Sequence, residues 1–302
     1  MSDALKEEIA ALKKERDAVI LAHNYQLPEV QDIADFTGDS LGLSRQAAEV
    51  DASVIVFCGV HFMAETAKIL SPEKTVLMPD DKAGCPMADM MTAAELAGWK
   101  AQNPGVPVVT YVNSTAEVKA LSDVCVTSAN AVRVVESLGA EKILFGPDDN
   151  LADWVSRSLP DVEVVPWQGW CPTHDRLTPE SVAKAKEEHP SALVMAHPEC
   201  RPEVVDMADA VLSTSQMLAF AVESDADEFI VLTECGLLHG LAKAAPGKVF
   251  HEPEPRMLCP NMKLTTLEKV AACMRDMAPQ IDVPEETREA ALAAVERMIA
   301  VV

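Results

Sequence analysis

Short apolar runs alternate with longer segments of mixed polarity along the chain. Runs of strand length occupy 18–22, 54–57, 75–78, 108–110, 142–146, 162–165, 192–196, 229–232 and 248–250. Between these runs, apolar residues recur at helical spacing, as Leu5, Ile9 and Leu12 do near the N-terminus. This alternation predicts parallel sheets with helices packed on their faces.

The same order of elements occurs three times along the chain. Pro79, Pro166 and Pro253 each follow the third strand of a repeat, and they are 87 and 87 residues apart. A unit of this length is too long for a solenoid repeat. We therefore predict an α/β protein of three pseudo-threefold-related repeats around a central cavity, each a three-stranded parallel sheet flanked by helices in a three-layer αβα arrangement.

The period also predicts the domains and the place of the C-terminal segment. The expected domains are 1–86 together with 264–302, then 87–172, and then 173–263. Two helices are expected after the third repeat, because a start signal at 282–286 follows the helical pattern that begins near 265. We expect both helices to pack on the first repeat.

The charge of the chain excludes several classes of partner. Its net charge is −23, which argues against nucleic acid and against anionic membrane surfaces. No apolar run approaches the roughly 18 residues of a membrane span, and the N-terminus lacks the layout of a signal peptide. A cytoplasmic protein is therefore expected, in which the eight cysteines are thiols or metal ligands rather than disulfides.

Three cysteines precede a proline, and these three follow the period of the repeat. Cys85, Cys171 and Cys259 are 86 and 88 residues apart, so three repeats around one axis would bring their thiols together. Three convergent thiolates suit an iron–sulfur cluster in which one iron has no protein ligand and acts as a Lewis acid. Zinc is the competing interpretation, with His174 as a fourth ligand.

The five remaining cysteines do not precede a proline. Cys58, Cys125 and Cys273 fall in apolar strands or helix faces, and we expect them to be core thiols. Cys200 and Cys235 lie near strand ends; a core thiol is the favoured interpretation for them too, and a place facing the cavity is the alternative.

Polar side chains cluster where predicted strands end, which is where parallel α/β sheets bind ligands. This set comprises His23, Asn24, Tyr25, Tyr111, Asn113, His197 and Glu199. Hydroxyl groups lie near predicted helix starts, whose free N–H groups favour carboxylates and phosphates. This second set comprises Ser40, Ser128, Ser213 and Thr214. Both sets would converge on the central cavity.

The motifs that contain these residues resemble those of the quinolinate synthase family, iron–sulfur enzymes of NAD biosynthesis. The resemblance rests on residues 21–26, 38–41, 57–68, 111–114, 127–131, 197–200 and 233–234. It covers the chain from about residue 20 to about residue 270. The combination of motifs is specific, and it agrees with the repeat that the spacing predicts independently.

The resemblance implies a reaction, a cofactor and a set of site residues. The implied reaction condenses iminoaspartate with dihydroxyacetone phosphate to quinolinate, with loss of phosphate and two waters. The implied cofactor is a [4Fe–4S] cluster held by Cys85, Cys171 and Cys259. The implied substrate pocket comprises His23, Tyr25, Ser40, Tyr111, Asn113, Ser128, His174, His197, Glu199, Ser213 and Thr214, among which His23, Tyr25, His197 and Glu199 would transfer protons. An aspartate oxidase or aspartate dehydrogenase is the implied supplier of the imine.

Two other functions remain open at this point. A non-catalytic electron carrier or iron–sulfur scaffold would need the three thiols but not the histidine, tyrosine and serine set. A structural zinc protein would use the same thiols with His174. A dinucleotide-binding dehydrogenase is disfavoured, because no Gly-x-Gly-x-x-Gly follows any predicted strand.

Overall fold

The helices and strands repeat in the same order three times over residues 2–301, which the computed structural model describes. The first repeat contains α1 (Ser2–Glu15), β1 (Ala18–His23), α2 (Pro28–Ile33), β2 (Phe36–Gly38), α3 (Ser40–Glu49), β3 (Val54–Cys58), α4 (His61–Leu70) and β4 (Thr75–Leu77). The second contains α5 (Ala93–Gln102), β5 (Val108–Tyr111), α6 (Ala116–Ala120), β6 (Val124–Val126), α7 (Ala131–Leu138), β7 (Lys142–Gly146), α8 (Asp149–Ser158) and β8 (Glu163–Pro166).

The first helix of the third repeat begins at the proline of the second cysteine–proline pair. It contains α9 (Pro172–Asp175), α10 (Pro179–Glu188), β9 (Leu193–Ala196), α11 (Pro202–Val205), β10 (Ala210–Val211), α12 (Thr214–Glu223), β11 (Glu228–Leu232), α13 (Leu237–Ala244) and β12 (Val249–His251). The C-terminal helices are α14 (Leu267–Asp276) and α15 (Glu285–Ala300), and 3₁₀ turns occupy Ala88–Met90 and Asn261–Lys263. No helix within residues 2–301 has the length and hydropathy that crossing a membrane requires.

Each repeat forms one parallel sheet, and the three sheets share one strand order. The orders are β2-β1-β3-β4, β6-β5-β7-β8 and β10-β9-β11-β12. The predicted fold class is confirmed, but the sheets have four strands where the sequence predicts three. The additional strands β2, β6 and β10 are two or three residues long and lie at one edge. They are too short to show a strand period, and pairing with the neighbouring strand defines them.

Alternate residues of the central strands face two different hydrophobic cores. In β1, Ile20 faces an outer core that α1 and α14 complete, whereas Leu21 faces an inner core. The inner core also contains Phe145 from the second sheet and Phe229 from the third. All three sheets therefore bury one face in a common core, and this core fixes their positions around the axis.

The two C-terminal helices pack in different places. Helix α14 packs on α1 and β3 of the first repeat, as the sequence predicts. Helix α15 contacts α3 and α4 of the first repeat and also α6 and β6 of the second. Arg45 fixes its end by donating hydrogen bonds to the carbonyl oxygens of Ile299 and Val301. The domain boundaries at 86, 172 and 263 stay a prediction.

We expect Gly236→Ala to destabilise the protein, because Gly236 lies directly against the first repeat. A Cβ atom at this position would lie 2.7 Å from the carbonyl group of Tyr25 and 2.7 Å from Lys263 Nζ. The backbone must shift to relieve this contact, so we expect a loss of about 1–3 kcal/mol in the free energy of unfolding, measured by urea denaturation.

Gly98→Ala is the matched control for this substitution. Gly98 lies inside α5, and a Cβ atom there would meet no other atom within 4 Å. Alanine favours the helix, so this variant should gain about 0.5–1 kcal/mol. Equal free energies of unfolding for the two variants would contradict the close contact at Gly236.

Candidate active site

A cavity of about 170 Å³ lies where the three repeats meet. Its wall is built from the residues that follow the carboxyl ends of the strands and from the three cysteine–proline loops. Because the three sheets are related by the repeat, equivalent strand ends from each sheet reach the same space. The cavity therefore collects side chains that are far apart in the sequence.

Thirteen of the predicted site residues lie on this wall. They are His23, Tyr25, Ser40, Cys85, Tyr111, Asn113, Ser128, Cys171, His174, His197, Glu199, Thr214 and Cys259. Ser213 does not line the cavity. It is buried, its hydroxyl group caps α12, and its Oγ donates to Asp39 Oδ2 over 3.4 Å. Ser213 thus contacts a residue of the wall, Asp39, without lining the cavity itself. The catalytic, binding and metal-ligating roles of the thirteen lining residues stay predictions.

Helix starts from two repeats lie beside the cavity. Ser40 is the first residue of α3 and Thr214 is the first residue of α12, and both line the wall. Ser128 occupies the equivalent place in the second repeat, just before α7. Free N–H groups at helix starts carry partial positive charge, which favours anionic groups. In a chain of net charge −23, these ends supply local positive potential.

The first and third repeats each place a histidine at the cavity in the same kind of turn. His23 Nδ1 accepts a hydrogen bond from the backbone N–H of Tyr25 over 3.2 Å, and His197 Nδ1 accepts one from Glu199 over 3.3 Å. An Nδ1 that accepts places the proton of a neutral imidazole on Nε2. His197 Nε2 accordingly donates to Ser128 Oγ over 3.2 Å.

Burial sets the protonation of both histidines. It lowers the pKa of His23 to about 4 and the pKa of His197 to about 3, although nearby carboxylates oppose the shift. Burial alone would raise the pKa of Glu199, but His174 and His197 beside it hold that pKa well below its usual range. Near neutral pH the imidazoles of His23 and His197 are therefore neutral, and the carboxyl group of Glu199 is ionised.

A chain of close polar contacts joins Glu199 to Tyr25. Glu199 Oε2 lies 2.7 Å from His174 Nδ1, His174 Nε2 lies 2.8 Å from Thr233 Oγ1, and Thr233 Oγ1 lies 2.6 Å from Tyr25 Oη. Burial, together with the charge of Glu199, raises the pKa of Tyr25 well above its usual value. The phenol thus stays protonated at one end of the chain, and the carboxyl group stays ionised at the other.

Sequence reasoning missed Thr233, Glu234 and Lys263 as parts of the site. The Glu234 carboxylate accepts from the backbone N–H of Cys259 over 3.0 Å and lies 2.9 Å from Lys263 Nζ, which also donates to the carbonyl oxygen of Tyr25. Thr233 and Glu234 directly follow β11, so the strand-end rule that finds His23 would also find them. Lys263 depends on tertiary contacts that no local pattern shows.

Each cavity cysteine precedes a short helical turn. Burial raises the pKa of all three thiols, that of Cys85 to about 12, while backbone N–H groups of the following turns oppose the rise. A ligand that binds thiolates would offset this burial penalty. Cys171, His174 and Glu199 also place ligand atoms within 4.8 Å of one another. This part of the cavity can therefore bind metal.

The other five cysteines lie away from the cavity. Cys58, Cys125 and Cys273 are buried in the cores, which confirms their prediction as core thiols. Cys200 and Cys235 are buried and do not line the wall formed by residues 2–301, which excludes the alternative that they face the cavity. Cys200 Sγ donates to the carbonyl oxygen of Leu232, and Cys235 turns behind the wall beside Glu234.

We expect the buried histidines to make the metal-free protein less stable in mild acid. Their pKa values are lower in the folded than in the unfolded protein, so stability falls as pH falls from about 6.5 toward 4. When the pH is lowered from 8 to 5, each imidazole should lower the free energy of unfolding by about 2 kcal/mol, measured by urea denaturation. His23→Gln should remove about half of this dependence.

Tyr25→Phe is the control for this pH dependence. It alters the same cavity but leaves both imidazoles in place, and the raised pKa of Tyr25 keeps its phenol protonated throughout this range. Its pH profile should follow that of the wild type. An unchanged slope in His23→Gln would show that His23 does not carry the effect.

Comparison with known proteins places the chain in one family. The family profile "NadA: Quinolinate synthetase A protein" matches residues 7–300. The quinolinate synthase of Thermodesulfovibrio yellowstonii is 55% identical over 296 residues, covering 98% of each chain. Those of Dehalococcoides mccartyi strain BAV1 and Pelobacter propionicus are 56% identical over 300 residues and 54% identical over 301 residues, covering at least 99% of each chain. The chain belongs to the quinolinate synthetase A (NadA) family of enzymes.

Proposed function

We propose that this enzyme condenses iminoaspartate with dihydroxyacetone phosphate to form quinolinate, releasing phosphate and two waters. The observation that carries the proposal is the convergence of the three cysteine–proline thiols with His23, Tyr25, His197 and Glu199 on one buried cavity. The names of the relatives support the same reaction. The imine would come from an aspartate oxidase or an aspartate dehydrogenase.

Cys85, Cys171 and Cys259 would hold a [4Fe–4S] cluster in this cavity. Their surroundings fit such a group, because burial disfavours free thiolates while backbone N–H groups of the following turns stabilise charge on the sulfurs. When bound, the cluster supplies a Lewis-acidic iron that lacks a protein ligand. A zinc site on Cys171, His174 and Glu199 is the alternative that the grouping of their ligand atoms favours.

The substrates are anionic, and the cavity offers donors for them. Ser40, Ser128 and Thr214 would bind carboxylate or phosphate oxygens together with the N–H groups of the adjacent helix starts. Asn113 lines the same cavity. Its Nδ2 lies 3.4 Å from Glu199 Oε1, and its buried Oδ1 has no partner within residues 2–301. This oxygen is therefore placed to accept a hydrogen bond from a bound substrate.

The buried polar groups divide the proton transfers among them. Glu199 is ionised and accepts protons, whereas Tyr25 is protonated and donates, and His174 and Thr233 connect the two. This chain holds both end groups in the protonation states and orientations that these roles require. His23 and His197 are neutral and add further acid–base groups for phosphate loss, isomerisation and ring closure.

We expect Cys85→Ser, Cys171→Ser and Cys259→Ser each to abolish the cluster and the activity, because a serine hydroxyl is a poor ligand for iron–sulfur iron. Iron and sulfide analysis of anaerobically purified wild type should give about four of each per chain. Cys235→Ser removes a thiol that lies off the cavity and should retain the cluster. Zinc in place of iron in the wild type, or activity in any of the three variants, would overturn the cluster assignment.

We expect Thr233→Val to keep the cluster but lose activity, because valine interrupts the chain between His174 and Tyr25. The rate of quinolinate formation should fall at least about tenfold, and Tyr25→Phe should cost about 10²–10⁴-fold. Thr233→Ser restores a hydroxyl group and is the matched control. An electron carrier or scaffold would instead tolerate Tyr25→Phe without loss of its role.

A further inference from the structure

A second group of metal-ligating side chains lies on the third repeat, outside the cavity. It consists of His189, Glu228 and His251, whose ligand atoms all lie within 4.8 Å of one another. None of the three lines the cavity wall formed by residues 2–301. The proposed reaction makes no use of them, so their grouping needs a separate explanation.

The fold of the third repeat brings these residues together. In the register of β11 and β12, Glu228 pairs with Val249 and Ile230 pairs with His251. Residues two apart on a strand share a face, so Glu228, Ile230 and His251 lie on the same side of the sheet. Ile230 packs in the core beneath α10, and His189 is the residue that ends α10. The helix end thus reaches over the edge strand at this pair.

One pair of ligand atoms in the group already has the spacing of a zinc site. A tetrahedral zinc with bonds of about 2.0–2.1 Å holds its ligand atoms about 3.3 Å apart. His251 Nε2 and Glu228 Oε2 lie 3.3 Å apart. The His189 ring stacks on the His251 ring, with centroids 3.4 Å apart and planes 13° from parallel. Binding a shared ion requires the His189 imidazole to rotate out of this stack.

We propose that His189, Glu228 and His251 form a binding site for a divalent transition metal ion, for which Zn²⁺ is the best chemical fit. Two imidazoles and one carboxylate are a ligand set that zinc uses, and water would complete the coordination. The His251 side chain is 18% exposed and that of Glu228 is 37% exposed, so both the ion and water have access. The site does not depend on the proposed reaction.

The bound ion would join the end of α10 to the edge strand β12. This strand is only three residues long, and the chain that leaves it reaches Cys259 eight residues after His251. An ion that binds the folded protein alone stabilises it by mass action. The metal would therefore stabilise the segment that leads into the third cysteine–proline loop.

Zinc titration of the cluster-loaded protein tests the proposal. Cavity thiols also bind zinc, so the measured quantity is the difference between wild type and variant, obtained by competition with a chromogenic chelator. His189→Gln and His251→Gln should each lose one zinc per chain, and zinc should raise Tm in the wild type only. His239→Gln, which removes a surface imidazole that contacts Asp32, should behave as the wild type does.

Two further measurements decide the question if a histidine variant fails to fold. Glu228→Gln keeps both imidazoles and the shape of the side chain, and it should weaken zinc binding at least about tenfold. X-ray absorption at the zinc edge of the wild type should show nitrogen and oxygen neighbours for this zinc. Equal zinc content in wild type and Glu228→Gln, or sulfur as the only ligand type, would overturn the site.

Discussion

The inner hydrophobic core that the three sheets share determines the rest of this structure. Leu21, Phe145 and Phe229 come from different repeats and are fully or almost fully buried in it. Each such side chain contributes about 1.5–3 kcal/mol by leaving water, so the contact is far stronger than any single polar bond between the repeats. Once the inner faces meet, the carboxyl ends of strands from all three sheets reach the same space. The cavity is the space that those ends enclose.

The polar groups of the cavity are tolerable because most of them are paired across repeats. Glu199 contacts His174 within the third repeat and Asn113 from the second, while Lys263 joins Glu234 to the backbone of the first. A buried charge without such partners would be strongly destabilising. The same contacts that offset desolvation therefore also hold the groups that we propose as catalytic in register. Stability and function depend here on one network.

Much of this arrangement could be predicted from the sequence, because residues separated by the repeat period occupy equivalent places in the three repeats. The common period of Cys85, Cys171 and Cys259 required their loops to occupy equivalent places, and the strand ends added His23 and His197. The edge strands β2, β6 and β10 were beyond prediction, since two or three residues carry no period and their pairing is a tertiary event. The packing of helix α15 on two repeats was equally beyond it, because its apolar face does not identify the repeats that it contacts.

The position of helix α14 near the C-terminus has a consequence for folding during synthesis. It covers the outer face of the first sheet, although its residues follow β3 by about 200 positions. During synthesis the apolar residues of that face, such as Ile20 and Val56, have no partner from α14 until the other two repeats have emerged. The first repeat to leave the ribosome is thus among the last to be finished, and its exposed sheet must avoid other nascent chains meanwhile.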